Sequence, residues 1–160
     1  MDLPKRKRMR MAGYDYSTPA RYFVTICTHN KEKILSDIHV GDDALIVPIA
    51  ELTDCGKICD KYINSINDKY ENITVEKYVI MPNHIHMIIY IGGTMKASSP
   101  TIGLESIVRS FKRMVTKETG HSIMQRSYHD HIIRNETDYK NIWNYIESNP
   151  EKWADDCYYV

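Results

Sequence analysis

At 160 residues, with 42% apolar and 26% charged content, the chain suits one globular domain with its own core and is too short for two of ordinary size. A formal net charge of zero excludes a protein that holds nucleic acid through its overall charge. No apolar run approaches the ~18 residues of a membrane-spanning helix, so no membrane partner is expected.

The charge is unevenly spread. Lys5, Arg6, Lys7, Arg8 and Arg10 oppose Asp2 alone in the first ten residues, giving that stretch +4 and the remainder −4. Residues 1–20 therefore form a basic N-terminal arm on a single domain spanning 1–160; it is either a solvated tail or a phosphate-binding arm. No signal-type apolar segment follows it, and the expected location is the cytoplasm. Cys27, Cys55, Cys59 and Cys157 have neither metal-type nor disulfide-dense spacing, and Cys55 and Cys59 read as small buried hydrophobes one helical turn apart.

The first strand is expected at Arg21–Thr28, where Tyr22, Val24 and Ile26 alternate with Phe23, Thr25 and Cys27. Residues 31–47 read as an exposed excursion. A helix is expected from Pro48 to Tyr70, with Leu52, Cys55, Cys59, Tyr62, Ile63, Ile66 and Tyr70 as its apolar stripe. Strands at Ile73–Met81 and His84–Ile91, separated by Pro82-Asn83, form a hairpin. Gly92 to Pro100 reads as a flexible loop.

A second helix is expected over Thr101–Glu118, stopped by Gly120. Leu104, Ile107, Val108, Phe111 and Val115 are its buried stripe, and Arg109, Lys112, Arg113 and Lys117 give it a basic side that is either solvated or phosphate-facing. A fourth strand follows at Gln125–Arg134, then a third helix capped by Asn135 and running to Ser148. The order β-α-β-β-α-β plus a helix predicts an α+β, ferredoxin-like antiparallel sheet with helices packed on one face and the first and third strands in the middle.

The chemistry concentrates at Met81 to Ile91. His84 and His86 alternate with Ile85, so they share one sheet face about 7 Å apart and can grip one cation if a third ligand arrives. The pair is expected to face outward. On the last helix, Tyr139, Ile142, Trp143 and Ile146 set the buried stripe. Tyr145 lies roughly 110° from its centre. Asn149 is one turn beyond Tyr145, and Asp138 and Asn141 extend the polar side. His84, His86 and Asn149 would make a mixed nitrogen–oxygen site suited to Mg²⁺ or Mn²⁺ and able to accept Zn²⁺ or Ni²⁺. Tyr145 would then be placed to attack a metal-activated phosphorus, and a tyrosyl phosphodiester would conserve the bond energy without a nucleotide cofactor. His-x-His is weak alone: a second pair, His129-Asp130-His131, can be structural, line a DNA path or be the metal site itself. His29, His39 and His121 read as solvated.

Four blocks in order carry a resemblance that spans nearly the whole chain. They are Gly13-Tyr14-Asp15-Tyr16 with Tyr22 to Thr28; Val79 to His86; Gln125 to Arg134; and Tyr145-Ile146-Glu147-Ser148-Asn149-Pro150. Together they resemble the REP-associated tyrosine transposases, a branch of the single-tyrosine HUH transposases. Met124 departs from the pattern, since many relatives have Trp there.

The resemblance implies a ferredoxin-like fold and an Mg²⁺- or Mn²⁺-dependent enzyme that cleaves and rejoins single-stranded DNA beside a hairpin through a 5′-phosphotyrosine. It implies Tyr145 as nucleophile, His84 and His86 as ligands and Asn149 as the amide ligand, in a protein acting as monomer or homodimer. The basic arm and the Arg109–Lys117 side are expected to hold DNA phosphates, and Tyr14 or Tyr16 to stack on unpaired bases. Two rival readings are a hairpin-binding module with idle catalytic residues, and a zinc hydrolase that adds His129 and His131 to the first pair.

Overall fold

The computed structural model describes residues 19–39, 48–92 and 102–159. Four strands build the main antiparallel sheet: β1 (Ala20–Cys27), β4 (Ile73–Ile80), β5 (His84–Ile91) and β6 (His129–Ile133). Its order is β4-β5-β1-β6, so β1 and β5 are the central strands. This is the ferredoxin-like α+β arrangement expected from the sequence. The hairpin is closed as predicted: Ile80 pairs with Ile85, and the Met81 amide donates to the His84 carbonyl at 2.8 Å across Pro82-Asn83.

The strand alternation divides the side chains between two layers. Tyr22, Val24, Ile26, Ile85, Met87, Ile89 and Ile91 join α1 (Asp54–Lys69) and α2 (Leu104–Thr119) in the large core. The opposite sheet face carries Phe23 and Ile88, which pack against α3 (Glu136–Ser148) through Tyr139, Ile142, Trp143 and Ile146. The helices therefore cover both faces rather than one. The predicted helix ends hold where a cap defines them. Asn135 accepts from the Asp138 amide at 2.8 Å to start α3, and Gly120 ends α2 in the left-handed region at φ 84°.

The excursion contains structure that the sequence reading missed. β2 (Ser36–His39) pairs antiparallel with β3 (Ile49–Leu52), and β3 displaces the expected helix start from Pro48 to Asp54. Thr53 is the cap, accepting from the Gly56 amide at 3.1 Å. α2 starts at Leu104 instead of Thr101, and β6 is shorter than expected because Gln125 is tied to the Cys27 carbonyl at 2.8 Å ahead of the strand. Met124, the departure from the family pattern, is buried and bridges Thr28. The basic residues 5–10, Tyr14, Tyr16 and the expected loop at 93–100 lie outside the described residues.

Gly56 shows how closely α1 meets the β2–β3 excursion: a Cβ there would collide with the Leu35 backbone carbonyl. Because backbone cannot yield as a flexible side chain does, Gly56→Ala is expected to destabilise the protein by about 1–3 kcal/mol, measured by denaturant unfolding. An unchanged unfolding midpoint would refute this close approach.

Candidate metal centre and nucleophile

His84 and His86 stand at the start of β5, paired across the ladder with Cys27 and Thr25 of β1. They share a sheet face as predicted, but they do not look outward: both are at most 1% exposed. The end of α3 and residues 150–159 roof them. The Tyr158 ring lies 4.4 Å from His84 and 5.7 Å from His86, and the Trp153 ring lies 6.0 Å from His84.

Neighbouring hydrogen bonds fix the imidazoles. Asn83 Nδ2 donates to the Tyr158 carbonyl at 2.8 Å, which leaves Asn83 Oδ1 as the acceptor 2.8 Å from His84 Nδ1. His84 thus keeps its proton on Nδ1 and turns a lone pair on Nε2 into the site. His86 Nδ1 lies 2.8 Å from Thr25 Oγ1, and its Nε2 faces the Tyr145 hydroxyl at 3.5 Å. Such partners on the far ring nitrogen are what holds a ligating histidine in register.

Asn149, the C-cap of α3, is 2% exposed and donates from Nδ2 to Asp156 Oδ2 at 2.8 Å. Its Oδ1 and the Nε2 of His84 are both buried without a hydrogen-bond partner. Two orphaned lone pairs beside a buried carboxylate form a donor set that fits a divalent cation. Among the described residues, the one cluster of three or more His, Cys, Asp or Glu with converging ligand atoms is His84, His86 and Asp156, all within 4.8 Å of one another. His129 and His131 are not part of it. They project from the edge strand onto the same face, where His131 bonds Asp138 at 2.7 Å, so the zinc arrangement using four histidines is not formed.

Tyr145 is 39% exposed and sits off the apolar stripe of α3, as its helical angle predicted. Its ring stands edge-on to Phe23 at 6.1 Å and 5.2 Å from His86. Burial, followed by the negative charge of Asp156, pushes its phenol up to about 12. Burial also lowers His84 to about 4 and holds His86 well below its usual 6.5, the latter aided by repulsion from His84. Both imidazoles are therefore neutral, the form that binds metal.

A lowered folded-state pKa means that the stability these groups contribute is fully present above about 6.5 and is lost as pH falls through the folded value. The metal-free protein should accordingly lose thermal stability between pH 6.5 and 4, the His84 value. Melting in chelator across that range, compared with a variant in which both histidines are Asn, checks this; parallel pH profiles would refute it.

The basic side of α2 is not beside this centre. α2 packs on the other sheet face, with Arg109, Arg113 and Lys117 exposed and Arg109 paired with Glu105 at 3.0 Å. Lys112 is turned inward, its ammonium donating to the carbonyls of Gln125 at 2.8 Å and Ser127 at 3.0 Å. Sequence reasoning missed Asp156 and Tyr158. Both lie outside any periodic element, and the only available signal was an acidic residue seven positions after Asn149.

The four-stranded antiparallel sheet with its helices is an α+β architecture shared with a solved structure described as a REP-associated tyrosine transposase bound to a REP hairpin. That structure matches with a TM-score of 0.59 at 23% identity, covering 89% of this chain and 74% of the other. A putative transposase from Deinococcus radiodurans aligns at a TM-score of 0.48 and 14% identity, covering 87% of this chain and 95% of that one. An uncharacterised protein of Haemophilus influenzae is 33% identical over 97% of this chain and 93% of its own length. The chain belongs to the family of that Haemophilus protein and has the fold implied by its resemblance to the REP-associated transposases. No protein-family model matches it. No helix of the described residues is long and apolar enough to cross a membrane.

Proposed function

We propose that the protein is a REP-associated tyrosine transposase that cleaves and rejoins single-stranded DNA beside hairpins through a 5′-phosphotyrosine intermediate. The observation that carries this reading is convergence: the Tyr145 hydroxyl lies 3.5 Å from His86 Nε2, and the unpartnered Oδ1 of Asn149 is buried one helical turn away. The structural neighbour's REP hairpin supports a hairpin-bearing DNA as substrate.

His84, His86 and Asn149 would hold Mg²⁺ or Mn²⁺, which when bound polarises a phosphate oxygen and offsets the charge developing at phosphorus. Tyr145 supplies the nucleophile. Its oxygen forms the new bond to phosphorus while the bond to the 3′ oxygen breaks in line. The phenol proton passes to water at the exposed edge of the ring, and the departing 3′ oxygen takes up a proton to end as a hydroxyl. Attack by another 3′-hydroxyl on the tyrosyl phosphodiester reverses these steps and restores the phenol. Phe23, edge-on to Tyr145, and Thr25, bonded to His86, hold the two reacting sides in place.

The basic arm and the exposed Arg109, Arg113 and Lys117 would bind phosphates without reading sequence. Because α2 lies across the sheet from Tyr145, its basic side suits the hairpin stem better than the strand being cut. Lys112 adds charge there, with its ammonium committed to backbone carbonyls.

The test uses labelled single-stranded oligonucleotides that carry a REP-type hairpin with a short single-stranded flank, in a panel of stem and flank sequences. Mn²⁺ should yield a protein–DNA adduct that survives denaturing electrophoresis, and chelation should remove it. Hairpin binding with no adduct in either metal would leave the idle binding module as the better reading.

A further inference from the structure

Asp156 belongs to the segment that follows α3, and nothing in the His-x-His and tyrosine motifs predicts a role for it. Its side chain is 1% exposed. Oδ1 accepts from the Tyr158 amide at 2.8 Å, while Oδ2 accepts from Asn149 Nδ2 at 2.8 Å and lies 3.9 Å from the unpartnered His84 Nε2. A carboxylate this buried needs compensating positive charge or several donors. Among the described side chains it faces His84, the Asn149 amide, the Tyr145 phenol and the Cys157 thiol, none of them a cation, with Lys31 at the edge of the site 5.9 Å from the Tyr158 ring.

We infer that Asp156 is itself a ligand of the cation, so that binding the ion fastens residues 150–159 over the site. The inference rests on the metal-dependent reading above and adds a hard anionic oxygen to the two histidines and the amide. Ligand atoms around an ion with bonds of about 2.1 Å stand about 3.0 Å apart when adjacent and about 4.2 Å apart when opposite. The 4.8 Å spread of His84, His86 and Asp156 needs only a small contraction to reach this.

Besides Asp156, a few contacts hold the segment in place, among them Lys33 over the Trp153 and Tyr159 rings. Asn83 Nδ2 grips the Tyr158 carbonyl, and the Tyr158 and Trp153 rings rest on His84. Asn83 also orients His84 through its other amide atom, so one side chain serves both the ligand and the cover. Ion binding and segment closure therefore favour each other, as linked equilibria must.

The experiment titrates the full chain with Mn²⁺ without DNA and follows free Mn²⁺ by electron paramagnetic resonance. Asp156→Asn retains an acceptor for Asn149 but removes the charge. It should weaken Mn²⁺ binding by about tenfold or more. The same substitution in an Asn149→Ala background separates a ligand from a positioning residue. A ligand weakens binding again there, whereas a residue acting only through Asn149 has no further effect.

Proteolysis of the wild type provides a readout that needs no variant to fold. Lys152 is exposed at the start of the segment, and saturating Mn²⁺ should slow tryptic cleavage after it. Mn²⁺ affinity of Asp156→Asn within twofold of wild type, loss of its effect in the Asn149→Ala background, or cleavage at Lys152 unaffected by Mn²⁺ overturns the inference. Affinity unchanged by His84→Ala would instead overturn the metal-dependent reading on which it rests.

Discussion

Tyr145→Phe should abolish the covalent DNA adduct, lowering its rate of formation by at least about 10³-fold, while hairpin affinity changes less than twofold. The substitution removes one oxygen from a side chain whose ring contacts, edge-on to Phe23 and beside His86, are retained. The lost hydroxyl lies at a long 3.5 Å from His86 Nε2, with Asn149 and Asp156 also beside it, so the folded state should change by no more than about 1 kcal/mol. A large kinetic effect on an intact fold would place the loss in chemistry. An adduct that persists in the Phe variant would move the nucleophile elsewhere and remove the central element of the proposed function.

His84→Ala and His86→Ala should each eliminate the stabilisation that Mn²⁺ gives the wild type. An ion at one hundred times its dissociation constant adds about 2.7 kcal/mol to a protein that binds it only when folded. For a domain of this size that is a rise in melting temperature of roughly 5–10 °C. Without either imidazole the donor set loses a fixed nitrogen, and the melting temperature should become indifferent to Mn²⁺. Adduct formation should fall with it, by at least about 10²-fold. Wild-type melting that does not respond to Mn²⁺ or Mg²⁺ at any concentration would argue against a divalent cation at this site.

The sheet was legible because its signals are local. Alternation in β1 and β5, two turn residues at Pro82-Asn83, and caps at Asn135 and Gly120 each have a single physical reading, and the structure follows them. Tyr145 was legible by its angle on α3. The β2–β3 ribbon was not, because four-residue strands such as Ser36–His39 mix polar and apolar residues and are defined by their partner rather than their pattern.

The expected outward exposure of the histidines failed for a related reason. Alternation sorts side chains between two faces but does not say which faces are covered, and the cover here comes from Trp153, Asp156 and Tyr158 in a segment with no periodicity. The position of α2 across the sheet followed from facts already present. Its apolar stripe belongs with Ile85, which points away from His84 and His86.

α3 has one buried apolar residue, Ile146, with Tyr139, Ile142 and Trp143 only partly covered. Fully burying one side chain of that size contributes about 1.5–3 kcal/mol. The helix is thus a loosely seated carrier, and the phenol and the amide travel on it together. A tilt costing a few kcal/mol would open a passage between helix and sheet wide at the Tyr145 end, admitting a strand and later releasing it by the same route. Each time the carrier lifts, the Tyr145 oxygen and the Asn149 amide withdraw from the two histidines at once, so under the proposed function a raised helix would leave the site unarmed.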